Sequence, residues 1–224
     1  MIKAQKLQNT EHTSILSSKG RELLEQYKLM ATDGYDRTNG ARVENAYNSF
    51  ELKKASAHVG KIFRDLDIKS ILDYGCGGSN WHAPGFHEDL SAFDFFNLDE
   101  AFHYEPARDI DERQIVDCVI SFDVLEHIFI SDVKPILTEM FSLARKLVVV
   151  NVACYEAAAL LPTGENAHVT VRLPNWWKGA VDMVASDFPD ISVCLLCSES
   201  YTNMSGFPVF SHSKWQSGPN FSTK

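Results

Sequence analysis

The 224-residue chain is short of basic charge: 21 Lys and Arg face 30 Asp and Glu, a formal net charge of −9. Binding along a phosphate backbone needs clustered cations, so an extended nucleic-acid face is disfavoured, although a small local patch is not. No apolar run approaches the roughly 18 residues that cross a bilayer. The first twenty residues are polar and carry no apolar core of a secretory signal. A cytoplasmic protein without membrane association is expected. The chain also lacks a disulfide pattern. Its five cysteines, Cys76, Cys118, Cys154, Cys194 and Cys197, are odd in number and scattered in spacing. Cys194 and Cys197 have C-x-x-C spacing inside an apolar run, where they read as small core residues. No second pair completes a metal set, so no metal is expected.

What the chain does have is a hydrophobic content of 45%, enough for the core of one α/β domain. Its most informative stretch is Ile71-Leu72-Asp73-Tyr74-Gly75-Cys76-Gly77-Gly78-Ser79. Apolar Ile71 and Leu72 suit a buried parallel strand, and the glycines permit a sharp turn with exposed backbone. The Lys-Ser/Thr ending of a P-loop is missing. Asn80 stands where the third glycine of a dinucleotide fingerprint belongs. Asp73, two places before the first glycine, would repel a pyrophosphate. It suits a cationic ligand that carries an amino acid.

On these residues the stretch resembles motif I of the class I S-adenosylmethionine-dependent methyltransferases. A second string strengthens the resemblance: Val116-Asp117-Cys118-Val119-Ile120-Ser121-Phe122-Asp123-Val124-Leu125-Glu126-His127 is similar to that family's strand ending in Val-Leu-Glu-His. The resemblance implies a Rossmann-like, doubly wound α/β fold. Its sheet would be mostly parallel and seven-stranded, with an antiparallel final strand and an N-terminal helical segment. The implied cofactor is S-adenosyl-L-methionine, with S-adenosyl-L-homocysteine as product. It would meet Asp73, Gly75, Cys76 and Gly77 at the glycine loop. A carboxylate at the end of the second strand would take both ribose hydroxyls; Asp99 is the choice, with Asp94 and Glu105 as competitors. Asp109 and Ile110 would flank the adenine. Phe122 and Asp123 would touch the cofactor from the following strand, and Glu126 with His127 would face the substrate or cap the next helix.

Residues 1–66 read as an N-terminal helical segment or lid, 67–213 as the core and 214–224 as a mobile tail. Residues 1–18 read as a frayed end. Helices are expected near 20–30, 43–66, 130–143 and 174–188, the last opened by Pro174. Strands are expected near 70–74, 92–98, 116–122, 146–152, 191–197 and 206–211. Pro84 allows only a short helix or turn near 86–90 after the glycine loop. Tyr27, Tyr35, Tyr47 and Phe50 are either lid residues or core packing. Trp81, His82, Phe86, Trp176 and Trp177 are candidates to line an acceptor pocket.

Methyl transfer requires a positioned nucleophile, and a base only where the acceptor must lose a proton. His127 and His168 are the candidates for that base. The expected function is methylation of a small-molecule or glycan-type acceptor. A catalytically silent cofactor-binding domain that regulates another enzyme is the alternative. A nicotinamide-dependent oxidoreductase is a third reading, against which Asp73 argues. The oligomeric state is open.

Overall fold

The computed structural model describes residues 15–44, 51–202 and 208–221. Helix α1 (Ser18–Asp33) leads into the two-residue strands β1 (Tyr35–Asp36) and β2 (Arg42–Val43). After a 3-10 turn at Glu51–Ala55 come α2 (Ser56–Asp65), β3 (Ser70–Tyr74), α3 (Ala92–Phe96), β4 (Glu100–Glu105) and β5 (Ile110–Asp111). Then follow β6 (Val116–Phe122), α4 (Val133–Leu143), β7 (Ala144–Ala153), α5 (Pro174–Ala185), β8 (Ser192–Thr202) and β9 (Pro208–Ser217).

Seven of the strands form one sheet in the order β5-β4-β3-β6-β7-β8-β9. The five central strands are parallel, and β5 and β9 run antiparallel at the two edges. Alternate side chains point to opposite faces. Leu72, Val119, Val148, Val150, Val193 and Leu195 meet α4 and α5. Ile71, Cys118, Ile120, Leu147, Val149 and Leu196 meet α2 and α3. Strands buried on both sides therefore read as unbroken apolar runs, which is why β3, β6 and β7 are plain in the sequence. This is a mostly parallel, Rossmann-like α/β sheet with helices on both faces.

The strand expected at 92–98 is instead helix α3. Ser91 caps it by accepting from the Asp94 backbone N–H at 3.0 Å, and its hydroxyl donates to the Asp94 carboxylate at 2.6 Å. Asn97 closes it in the left-handed region at φ 54°. Ser-x-x-Asp is a helix-start signal that outweighs the β-leaning phenylalanines. The true second strand is β4. Residues 86–90 form a turn, with the Phe86 N–H donating to the Leu90 carbonyl. The chain end also differs from expectation: β9 continues through Lys214 to Ser217, and the Asn220 N–H donates to Ser192 Oγ at 3.1 Å. Helix α2 is shorter than the expected 43–66, and Tyr47, Phe50 and residues 1–14 lie outside the described residues.

Candidate functional site

The carboxyl ends of β4, β3 and β6, with the segment that follows β7, open into one cavity of about 480 Å³. That size suits a small-molecule ligand. Three adjacent strand tips span about 10 Å, given a spacing of about 4.8 Å between strands. Helix α1 and the segment that follows β7 roof the cavity, with Leu23 and Met30 packed on Leu161 and Ala167.

The glycine loop turns at the tip of β3. The Gly75 and Cys76 N–H groups both donate to the Tyr104 carbonyl, at 2.7 and 3.1 Å. Gly75 sits at φ 82°, and a Cβ there would lie 2.4 Å from Val124 Cγ2. The requirement for glycine is therefore steric as well as conformational. Asp73 is buried, and its Oδ2 accepts from the Ser79 hydroxyl at 2.7 Å and Trp81 Nε1 at 2.9 Å. It makes no ion pair among the described residues, and burial raises its pKa against the lowering effect of those two donors.

Glu105 ends β4. Its Oε2 accepts from the Gly77 N–H at 2.9 Å and its Oε1 from the Ala107 N–H at 3.0 Å. Burial raises its pKa as well. Asp123 follows β6 with φ 55° and takes a 2.7 Å hydrogen bond from Asn151 Nδ2. Burial, reinforced by the negative charge of Glu51, brings it to about 7.

The opposite end of the cavity is built from distant segments. Asn166 holds the roof loop: its Oδ1 accepts from the N–H groups of Ala157 and His168, and its Nδ2 donates to the Ala157 carbonyl, each at 2.9 Å. Thr170 ties this loop to the β6 tip, its N–H donating to the Glu126 carbonyl at 2.9 Å and its hydroxyl to the Ile128 carbonyl at 2.7 Å. The two imidazoles then meet edge to face, with ring centres 4.7 Å apart. His127 Nδ1 lies 2.9 Å from the Ala167 carbonyl, and His168 Nδ1 lies 2.5 Å from the Tyr155 carbonyl. From α1, the Tyr27 hydroxyl reaches the Ala167 and His127 carbonyls at 2.7 and 3.1 Å. Burial lowers the pKa of both rings, His127 to about 3 with a further push from His168. Both are neutral near pH 7.

Asp73, Gly75, Cys76, Gly77, Phe122, Asp123, His127 and His168 thus share one cavity. Burial raises the Cys76 thiol far above its usual range, so it stays protonated. Three expected residues are misplaced. Asp99 precedes β4, its N–H bonded to the Lys69 carbonyl, at the opposite end of the sheet. The six residues to Glu105 amount to roughly 20 Å of strand. Asp94 belongs to α3, so of these three candidates Glu105 is the one that lines the cavity. Asp109 and Ile110 do not line it either: the Asp109 side chain is exposed and lies 3.9 Å from Lys28 Nζ, while Ile110 is in β5. Pro106 and Ala107 occupy that wall instead.

Glu126 neither faces the cavity nor caps a helix. It is fully buried, its Oε1 accepts from the Ala153 N–H at 2.8 Å, its Oε2 has no hydrogen bond among the described residues, and burial keeps it protonated. Of the aromatic candidates, Trp81, Tyr27 and Tyr35 line the cavity. Phe86 packs on Phe95 and Phe96, and His82 on Phe93. Trp177 is buried against the core while Trp176 is partly exposed under Arg172. Cys194 and Cys197 fall on opposite faces of β8, and burial pushes the Cys194 thiol up to about 12. Among the described residues no group of three or more His, Cys, Asp or Glu could hold a metal ion, and no helix is long and apolar enough to cross a membrane.

Sequence reading missed Glu105 as first choice, Asn166 and Thr170. Only Glu105 had a local signal, as the last residue before Pro106. Comparison with protein-family models, curated proteins and solved structures finds no match to this chain.

Proposed function

We propose that the chain is an S-adenosylmethionine-dependent methyltransferase acting on a small-molecule or glycan-type acceptor. One observation carries the reading: two carboxylates, the buried Asp73 and the half-buried Glu105, meet at the glycine loop without an ion pair among the described residues. Buried anions need a compensating charge or donors. An α-ammonium at Asp73 and ribose hydroxyls at Glu105 would supply both. Each Glu105 oxygen already accepts one backbone N–H, and a carboxylate has about four lone-pair positions, so two remain for hydroxyls. A dinucleotide would bring a pyrophosphate against the same carboxylates.

When bound, the cofactor supplies a methyl group on a positively charged sulfur. The chain has to hold the partner nearby and keep water out. Tyr27 and the loop it anchors close the cavity. The backbone carbonyls at Nδ1 leave Nε2 of each imidazole free to accept. His168 is the better proton acceptor, because the pKa of His127 is held far below the working pH.

The test is calorimetric titration with S-adenosylhomocysteine and NADH. The expected outcome is binding of the first alone, weakened by about 1–3 kcal/mol in Asp73→Asn through loss of charge-assisted hydrogen bonding. Binding of NADH in its place, or equal affinity in the variant, overturns the reading. Tight binding without transfer to any acceptor would instead favour a silent regulatory domain.

A further inference from the structure

The end of the cavity away from the glycine loop has a lopsided hydrogen-bonding character. Carbonyl oxygens only accept, so His127 carries its proton on Nδ1 toward Ala167, and His168 carries its proton on Nδ1 toward Tyr155. Each Nε2 is then a bare acceptor, and neither makes a hydrogen bond among the described residues. Tyr27 and Tyr155 stand edgewise or tilted beside these rings, with centres 5.3 Å from His127 and 5.9 Å from His168. Two exposed charges lie at the rim, Glu156 and Arg37, and neither forms an ion pair among the described residues. The hairpin that carries Arg37 is fixed to the roof: the Thr38 N–H donates to the Ala158 carbonyl and the Leu160 N–H to the Asp36 carbonyl, both at 2.8 Å.

A ligand at this end must therefore bring donors to two adjacent acceptors. A phosphate brings none when fully ionised, and Arg37 and Glu156, one charge of each sign, offer it no net attraction. An ammonium gains no net attraction from the same opposed pair. A phenol brings one donor for two sites. We propose that this end binds a neutral polyhydroxylated ring, a sugar, with two of its hydroxyls donating to Nε2 of His127 and His168. Aromatic side chains beside the imidazoles give its C–H faces an apolar wall. That this sugar is the methyl acceptor rests on the function proposed above; that it binds does not.

The test uses the 224-residue chain, 15N-labelled, with the imidazole nitrogens read by long-range 1H–15N correlation. The probes are methyl glycosides of neutral hexoses, pentoses and deoxyhexoses, together with a sugar phosphate, glucosamine, phenol and Zn²⁺ alone. A neutral glycoside is expected to shift both Nε2 resonances and leave the Nδ1 protons in place. His127→Asn and His168→Asn each keep a donor for the Ala167 or Tyr155 carbonyl but remove Nε2. Each is expected to weaken the glycoside by at least about tenfold while leaving S-adenosylhomocysteine affinity unchanged. Silence toward every neutral glycoside, or a stronger response to the phosphate, the amine, phenol or Zn²⁺, overturns the proposal. S-Adenosylhomocysteine failing to bind while a glycoside shifts Nε2 removes the methyl-transfer reading alone, and the reverse result removes the sugar site alone.

Discussion

The two ends of the cavity solve the same problem, holding polar side chains out of water, in opposite ways. At the glycine-loop end the groups are acids, the buried Asp73 and the half-buried Glu105, and their donors come from nearby turns: Ser79 and Trp81 for one, Gly77 and Ala107 for the other. At the far end the half-buried groups are bases, His127 and His168, and their acceptors are carbonyls of a roof loop some 13 to 40 residues away in sequence. The first end is made of backbone turns at adjacent strand tips. The second exists only once α1, the β6 tip and the loop around Asn166 have come together. An acid-lined floor and an acceptor-bearing wall thus lie side by side in one cavity.

The largest expected effect breaks the first end. Gly75→Val puts a branched Cβ into the space held by Val124 at a φ of 82°. Overpacking and backbone strain together should cost about 2–4 kcal/mol in urea unfolding and abolish S-adenosylhomocysteine binding. Near-parental stability would show that the β3 and β6 tips can separate freely.

A second, smaller effect sharpens the contrast through pH. The folded pKa of Glu105 is raised, so its contribution to stability is complete below the unfolded value of about 4.3 and is lost as pH rises toward the folded value. The folded pKa of His127 is lowered to about 3, so its contribution is complete above about 6.5 and is lost as pH falls from there toward 3. Glu105→Gln should flatten the decline on the alkaline side of pH 4. His127→Asn should flatten the decline below pH 6.5. The change in slope can reach about 1.4 kcal/mol per pH unit for one proton. Denaturant unfolding at intervals from pH 4 to 8 measures both, and parallel profiles for parent and variants would erase the distinction between the two ends.

The smallest expected effect is none. Asp99→Ala removes an exposed side chain at the opposite end of the sheet and should leave S-adenosylhomocysteine affinity unchanged. A weakened variant would move the proposed ribose contact back from Glu105.

Sequence alone determined the strands β3 and β6 to the residue, the glycine bend with its acid, and the presence of His127 at the end of β6. Those features are written locally, as continuous apolar runs and as residues that only a turn can use. Strand β4 was hidden because its composition, Glu-Ala-Phe-His-Tyr-Glu, is half polar and its outer neighbour β5 is only two residues long. The phenylalanine-rich segment before it competed for the same assignment, and a serine cap decided the matter.

Only the tertiary structure decided which acid reaches the cavity, because parallel pairing of Tyr74 with Tyr104 fixes which end of β4 lies beside the glycine loop. Only it could bring His168 against His127 and choose the proton-bearing nitrogen of each. That choice is made by carbonyls of Ala167 and Tyr155, whose positions depend on Asn166 and on the docking of α1, and no spacing along the chain encodes such contacts.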